Sequence, residues 1–125
     1  MAKFRKHGRI VRSDKSRRTH NGIVFDSIAE MERYKELYLL FLAGDITEPE
    51  MQPPFVFQHE GRGIGSYKAD FRYTFIATGE EVVEDVKGNV DALFRFKKKM
   101  MFAFYPNVNL VIVDAGPYYR KRRKA

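Results

Sequence analysis

Hydrophobic and polar residues alternate along residues 69–76: Phe71, Tyr73 and Phe75 fall on one side, Asp70, Arg72 and Thr74 on the other. Residues 81–87, EVVEDVK, share that two-residue period and its β-branched content, so both stretches are predicted strands. Upstream the period changes. Residues 26–44 carry Tyr34, Leu37 and Phe41 at helical spacing behind Ser27-Ile28-Ala29-Glu30, a capping box, and Gly44 supplies the stop. Asn21-Gly22 predicts a small hairpin turn before this helix. The prolines of residues 48–54 call for an extended connection, followed by an edge strand at residues 55–58. Gly61 to Gly65 reads as a flexible turn, since a phosphate-cradling loop would need a helix after it. A second helix is expected over about residues 91–105, with Leu93, Phe96, Met100 and Phe104 as its core stripe and Pro106 as its stop. Residues 108–113 form a last, largely buried strand.

Strand parity then brings charges together. With Thr78 and Gly79 as the turn, Phe75 faces Val82, Phe71 faces Val86 and Asp70 faces Lys87. Opposed residues share a face, and so do residues two apart, so Asp70, Asp85 and Lys87 converge while Glu84 points away. A slip of one residue would separate Asp70 from the other two. Two carboxylates beside an ammonium suit a hard divalent cation with a bridging phosphate. The competing reading is a cross-strand salt bridge on a hairpin edge. Glu30 has two readings as well: a helix cap, or a carboxylate at the site end of a buried stripe.

Charge distribution sharpens this picture. The chain has 125 residues, one domain's worth, and a net charge of +7. Residues 1–20 hold eight Lys and Arg against one Asp, and residues 117–125 hold five with no acid, which leaves residues 21–116 at net −5. An acidic body between basic ends fits polyanion-binding arms on a domain that gathers carboxylates. The expected division is an N-terminal arm over 1–18 without regular structure, a domain over 19–116 and a basic tail over 117–125. Arg17 and Arg18 of the arm, Arg95, Lys97, Lys98 and Lys99 of the second helix, and Arg120, Lys121, Arg122 and Arg123 of the tail are candidate DNA contacts, with solvated charge as the alternative. The absence of cysteine excludes disulfides and thiolate chemistry. With no apolar run of spanning length and no signal-peptide core, a cytoplasmic protein is expected.

The order helix, three strands, helix, strand, with an Asp on the second strand and Asp85-Val86-Lys87 on the third, resembles the PD-(D/E)XK nuclease superfamily. Ala69-Asp70 stands where its name suggests Pro-Asp. Within it the chain is similar to the small phage and prophage endonucleases grouped as DUF1064, of Holliday-junction-resolvase-like character. Asn21-Gly22-Ile23, Phe25-Asp26-Ser27 with Glu30, Met51-Gln52-Pro53, Ala69-Asp70-Phe71, residues 83–88 and residues 94–99 carry the likeness. Many such proteins have a basic residue where this chain has Ile28.

The resemblance implies an α/β restriction-endonuclease-like αβββαβ core: a central mixed β-sheet flanked by helices, with basic arms at both termini. It implies Mg²⁺, replaceable by Mn²⁺, on Asp70, Asp85 and the Val86 carbonyl, with Glu30 bound directly or through water. Lys87 would orient or deprotonate the attacking water. The substrate would be four-way or otherwise branched DNA. A homodimer would match the two-fold symmetry of such a junction, and the apolar run Leu37 to Leu42 offers it a surface. A nuclease of repair, restriction or transposon-end type, and a non-catalytic DNA-binding module, are the alternatives.

Overall fold

The computed structural model describes residues 14–119. A short 3₁₀ turn, Lys15–Arg18, leads into the strands β1 (Thr19–His20) and β2 (Ile23–Val24). Asn21 and Gly22, both at positive φ, join them in the two-residue turn that Asn-Gly favours. Helix α1 (Ile28–Leu42) follows, capped by Ser27, whose hydroxyl accepts the Glu30 amide at 3.0 Å. Next come β3 (Glu50–Met51), β4 (Pro54–His59), β5 (Arg62–Lys68), β6 (Phe71–Thr74), β7 (Glu81–Lys87), α2 (Ala92–Phe104) and β8 (Leu110–Asp114).

The central sheet is mixed, in the order β3-β6-β7-β8, antiparallel except for the β7–β8 pair. β4 and β5 form a separate hairpin, yet one register runs from it into the sheet. Pro54 pairs with Lys68, and beyond the break Met51 pairs with Phe71. The break is a kink. Gln52 takes a positive φ and donates its amide to the Asp70 carbonyl, and Ala69 donates to Pro53. Counted through the kink, β3–β4 and β5–β6 are two long bent strands, and the element order becomes helix, three strands, helix, strand. Asp70 stands at the bend.

Gly63 and Gly65 therefore lie within a strand rather than in a flexible turn. The turn is Glu60-Gly61, both at positive φ, and the register shifts at Phe57/Gln58 beside these glycines. The β6–β7 register also differs from expectation: Tyr73, not Phe75, faces Val82, and Phe71 faces Glu84. The connection is longer than two residues, closed by Phe75 donating to Glu80 and Gly79 to Phe75. A shift of two residues preserves parity, so the faces come out as expected.

Core clusters cover both faces of β7. On one, Met31, Tyr34 and Leu37 of α1 pack with Phe71, Tyr73, Val82 and Val86. On the other, Phe55, Phe57 and Tyr67 of the hairpin pack with Val83, Phe94 and Met101. α2 thus buries Phe94 and Met101, seven residues apart, whereas the expected stripe residues Leu93 and Phe96 are exposed, at 62% and 58%. The reason lies in what α2 packs on. The aromatic hairpin meets the Phe94–Met101 side, with Tyr67 and Phe94 ring centres 6.2 Å apart. Among the described residues no helix is long and apolar enough to cross a membrane.

Candidate active site

Asp70 is held by the backbone of β7 on either side of Asp85. Its amide donates to the Glu84 carbonyl at 2.8 Å, and its carboxylate accepts the Val86 amide at 2.7 Å. The two-residue shift in register therefore sets Asp70 beside Asp85 rather than opposite Lys87. Val86 meets the site through its amide. Asp85 is 2% exposed, takes the Tyr67 hydroxyl, and lies 3.3 Å from the Lys87 ammonium. Lys87 in turn sits 4.6 Å over the Phe94 ring, a contact that fixes the direction of a flexible side chain.

Glu30 enters from the first turn of α1. Burial pushes its carboxyl above the usual carboxylate range, and so do the charges of Asp26 and Asp85, against hydrogen bonds to Asp70 and to the Asp26 backbone. Asp70 is pushed up to about 9, by burial first and then by the Glu30 and Asp85 charges, with the Val86 amide opposing. Four carboxylates influence one another here, and Lys87 is the cation paired at the site. Such crowding is the electrostatic signature of a place where positive charge is wanted.

Among the described residues, no group of three or more His, Cys, Asp and Glu side chains is placed so that it could hold a metal ion. The donor set still fits a hard cation. Asp70 and Asp85 offer oxygen ligands only, and a small ion that retains several waters needs few protein carboxylates.

A cleft of about 360 Å³ opens beside Lys87, lined also by Tyr67, Lys68, Lys97 and Asp91. Lys97 therefore belongs to the site's rim, while Arg95, Lys98 and Lys99 are exposed elsewhere on α2. Arg17 is exposed. Arg18 is not available to a phosphate backbone: it is buried, and its guanidinium donates to the Phe25 carbonyl at 2.6 Å, tying the 3₁₀ turn to the residue that follows β2. The expected arm is thus structured at its inner end. Arg120, Lys121, Arg122 and Arg123 lie outside the described residues.

Sequence reasoning missed Tyr67, Lys68 and the site role of Asp26. Tyr67 has the opposite parity to Asp70, and only the kink between β5 and β6 turns it to the Asp85 face, so no local pattern announces a pair 18 residues apart. Asp26 stands next to the cap and within the Phe25-Asp26-Ser27 motif, and neither signal gives it a role beside Glu30.

The fold and site define an α/β domain that gathers carboxylates and one lysine at the middle of a mixed sheet. The chain belongs to the family described as protein of unknown function (DUF1064), whose model matches residues 11–121. No curated protein and no solved structure matches it.

Proposed function

We propose that this chain is a metal-dependent endonuclease of the PD-(D/E)XK type, hydrolysing DNA phosphodiester bonds and selecting branched DNA, most simply a four-way junction. The observation that carries it is the convergence of Asp70, Asp85, Glu30 and Lys87 next to a cleft rimmed by Lys68 and Lys97. A bound Mg²⁺ would be held by Asp70 and Asp85, with Glu30 as an outer carboxylate, and would polarise the phosphate and lower the pKa of a water.

This chain's own residues do the rest. Tyr67 holds the Asp85 carboxylate in one orientation, and the Val86 amide does the same for Asp70. Lys87 places a positive charge where negative charge grows on the phosphate, and its ammonium can orient the attacking water. Burial and the neighbouring charges of Glu30 and Asp85 favour the protonated form of Asp70 in the absence of a cation. Lys68 and Lys97 contact the phosphate backbone, which gives affinity without sequence preference.

A homodimer remains part of this reading, since two matched nicks suit a two-fold assembly. The first helix supports it weakly. Leu37 is fully buried in the core, Tyr38, Leu40 and Phe41 pack against it, and Leu39 and Leu42 stay exposed. Two leucines fall well short of the roughly 800 Å² per partner of a stable interface.

A second reading is a DNA-binding module without catalysis, since two carboxylates rather than three are set for a cation among the described residues. Cleavage of a synthetic immobile junction with Mg²⁺, wild type beside Asp85→Asn, separates the two. Paired symmetric nicks that vanish in the variant support the proposal. Equal cutting of plain duplex moves the substrate to the broader nuclease class, and no cutting of any DNA leaves the binding module.

A further inference from the structure

Arg95, Lys98, Lys99 and Phe102 stand at i, i+3, i+4 and i+7, one stripe along α2. They line a shallow hollow of about 420 Å³. Phe102 is 78% exposed, the most exposed large apolar side chain among the described residues, and no acidic residue occurs within α2. The Arg95 guanidinium is anchored by a 3.0 Å hydrogen bond to the Val90 carbonyl, so the rim is partly fixed. The helix presents its two core residues, Phe94 and Met101, elsewhere, and Phe102 contributes nothing to either core cluster.

We infer that Phe102 is a stacking platform for an unpaired nucleobase of the DNA, with Arg95, Lys98 and Lys99 holding the flanking phosphates. Charge complementarity selects the occupant. An apolar peptide has no use for three cations around its anchor, and a second copy of this chain would bring its own like-charged stripe against them. A polyanion with flat faces satisfies both the ring and the cations. The stripe lies on a different side of α2 from Lys97, which lines the cleft beside Lys87, so it is a surface separate from the proposed site on the same helix. Fully paired duplex keeps its bases stacked inside, whereas a branch point can expose one, so the ring would sense branching rather than sequence. The inference rests on the nucleic-acid part of the proposed function and deepens it.

The test is equilibrium binding in EDTA, where cleavage does not intervene. Fluorescently labelled single strand, a junction with unpaired nucleotides at its centre and fully paired duplex are titrated with wild type, Phe102→Ala, Phe102→Trp and Lys98→Ala/Lys99→Ala. Phe102→Ala is expected to weaken single-strand and unpaired-junction binding at least about fivefold, with duplex affinity changed less than twofold. Phe102→Trp should restore it, and the double lysine variant should weaken all three DNAs and flatten the salt dependence. Equal affinities of wild type and Phe102→Ala for every DNA overturn the inference, as does a switch from dimer to monomer on sedimentation with DNA binding intact. Selective loss in Phe102→Ala from a chain that cuts nothing would keep the platform and reject the nuclease. Cleavage that ignores Phe102 would do the reverse.

Discussion

Glu84 and Asp85 are sequence neighbours, 1% and 2% exposed, and serve opposite faces of the same strand. Asp85 faces the site with Tyr67 and Lys87. Glu84 turns to the α1 side, where both its oxygens accept from the Arg33 guanidinium at 2.8 and 2.7 Å and the Tyr73 hydroxyl closes the set. A bidentate pair of this kind fixes orientation as well as charge. Arg33 is held strongly protonated, chiefly by the Glu84 hydrogen bonds, and also reaches Glu36 at 3.1 Å, which takes the Tyr118 hydroxyl. One face of β7 is thus locked by a network that has no contact with substrate in the proposed reading, while the other carries the proposed ligand.

Removing one partner of that network should cost far more than exchanging both. Arg33→Met leaves Glu84 buried without its cation, and about 3 kcal/mol of stability should be lost. Combining it with Glu84→Leu should recover most of that loss, because the apolar pair no longer pays for desolvated charge. Urea denaturation of the two variants measures this, and a single variant as stable as wild type would show that the pair is not structurally required.

Tyr67→Phe keeps the ring packed against Phe94 and deletes only the hydroxyl that holds Asp85. Burial, then the Asp85 hydrogen bond, raises the Tyr67 hydroxyl well above the ordinary phenol range, so it stays a donor at any working pH. Stability should fall by about 1 kcal/mol, the net worth of one hydrogen bond. The Mg²⁺ concentration for half-maximal cleavage should rise by about tenfold or more, as for lost outer partners of ligands generally. An unchanged Mg²⁺ titration would remove Tyr67 from the site.

Without a cation, the carboxylate cluster should make the protein less stable as pH rises. An Asp carboxyl titrates at about 3.9 in an unfolded chain, and burial with the Glu30 and Asp85 charges pushes Asp70 up to about 9 in the folded one. Between those values the folded state binds the extra proton, so unfolding free energy declines with pH across that window. Glu30, raised as well, adds a change of the same sign. Asp70→Asn can still accept the Val86 amide but has nothing to titrate. Melts in EDTA should therefore show wild type losing stability relative to Asp70→Asn from about pH 4 to 9, on the order of a few kcal/mol. A constant difference between the two proteins over that range would contradict the shift.

How much of this was legible in the sequence depended on whether a local pattern was unique. β7 and α1 were legible because alternation in one, and the Ser27 cap with a helical stripe in the other, admit a single solution. The shared face of Asp70, Asp85 and Lys87 survived a wrong register, since a shift of two residues conserves parity. α2 was different: Leu93, Phe94, Phe96, Met100, Met101, Phe102 and Phe104 surround the helix, so periodicity could not say which side meets the core. Gly63 and Gly65 hid the strand β5, because their local signal is that of a turn and only the partner strand overrides it. Arg18 read as one more cation of a basic run, and its burial is decided by the Phe25 carbonyl seven residues on.

Lys87 bears on both chemistry and stability. Its side chain is about one-third exposed, but its partner at 3.3 Å is the buried Asp85, so removing the ammonium leaves a buried carboxylate without its cation. In the proposed reaction the same charge meets a phosphate whose negative charge is growing. Lys87→Ala should accordingly cut the cleavage rate by about 10² or more and also lower stability by about 1 to 3 kcal/mol, because Asp85 stays buried without its cation. Lys87→Arg keeps the charge but replaces a compact ammonium with a planar fork, and should restore only part of the rate. The DNA affinity of Lys87→Ala in EDTA should drop modestly, since Lys68 and Lys97 remain along the cleft. Single-turnover cleavage, run beside binding and denaturation on the same preparations, reads all three quantities. A rate loss matched by an equal loss of affinity would make Lys87 a binding residue instead.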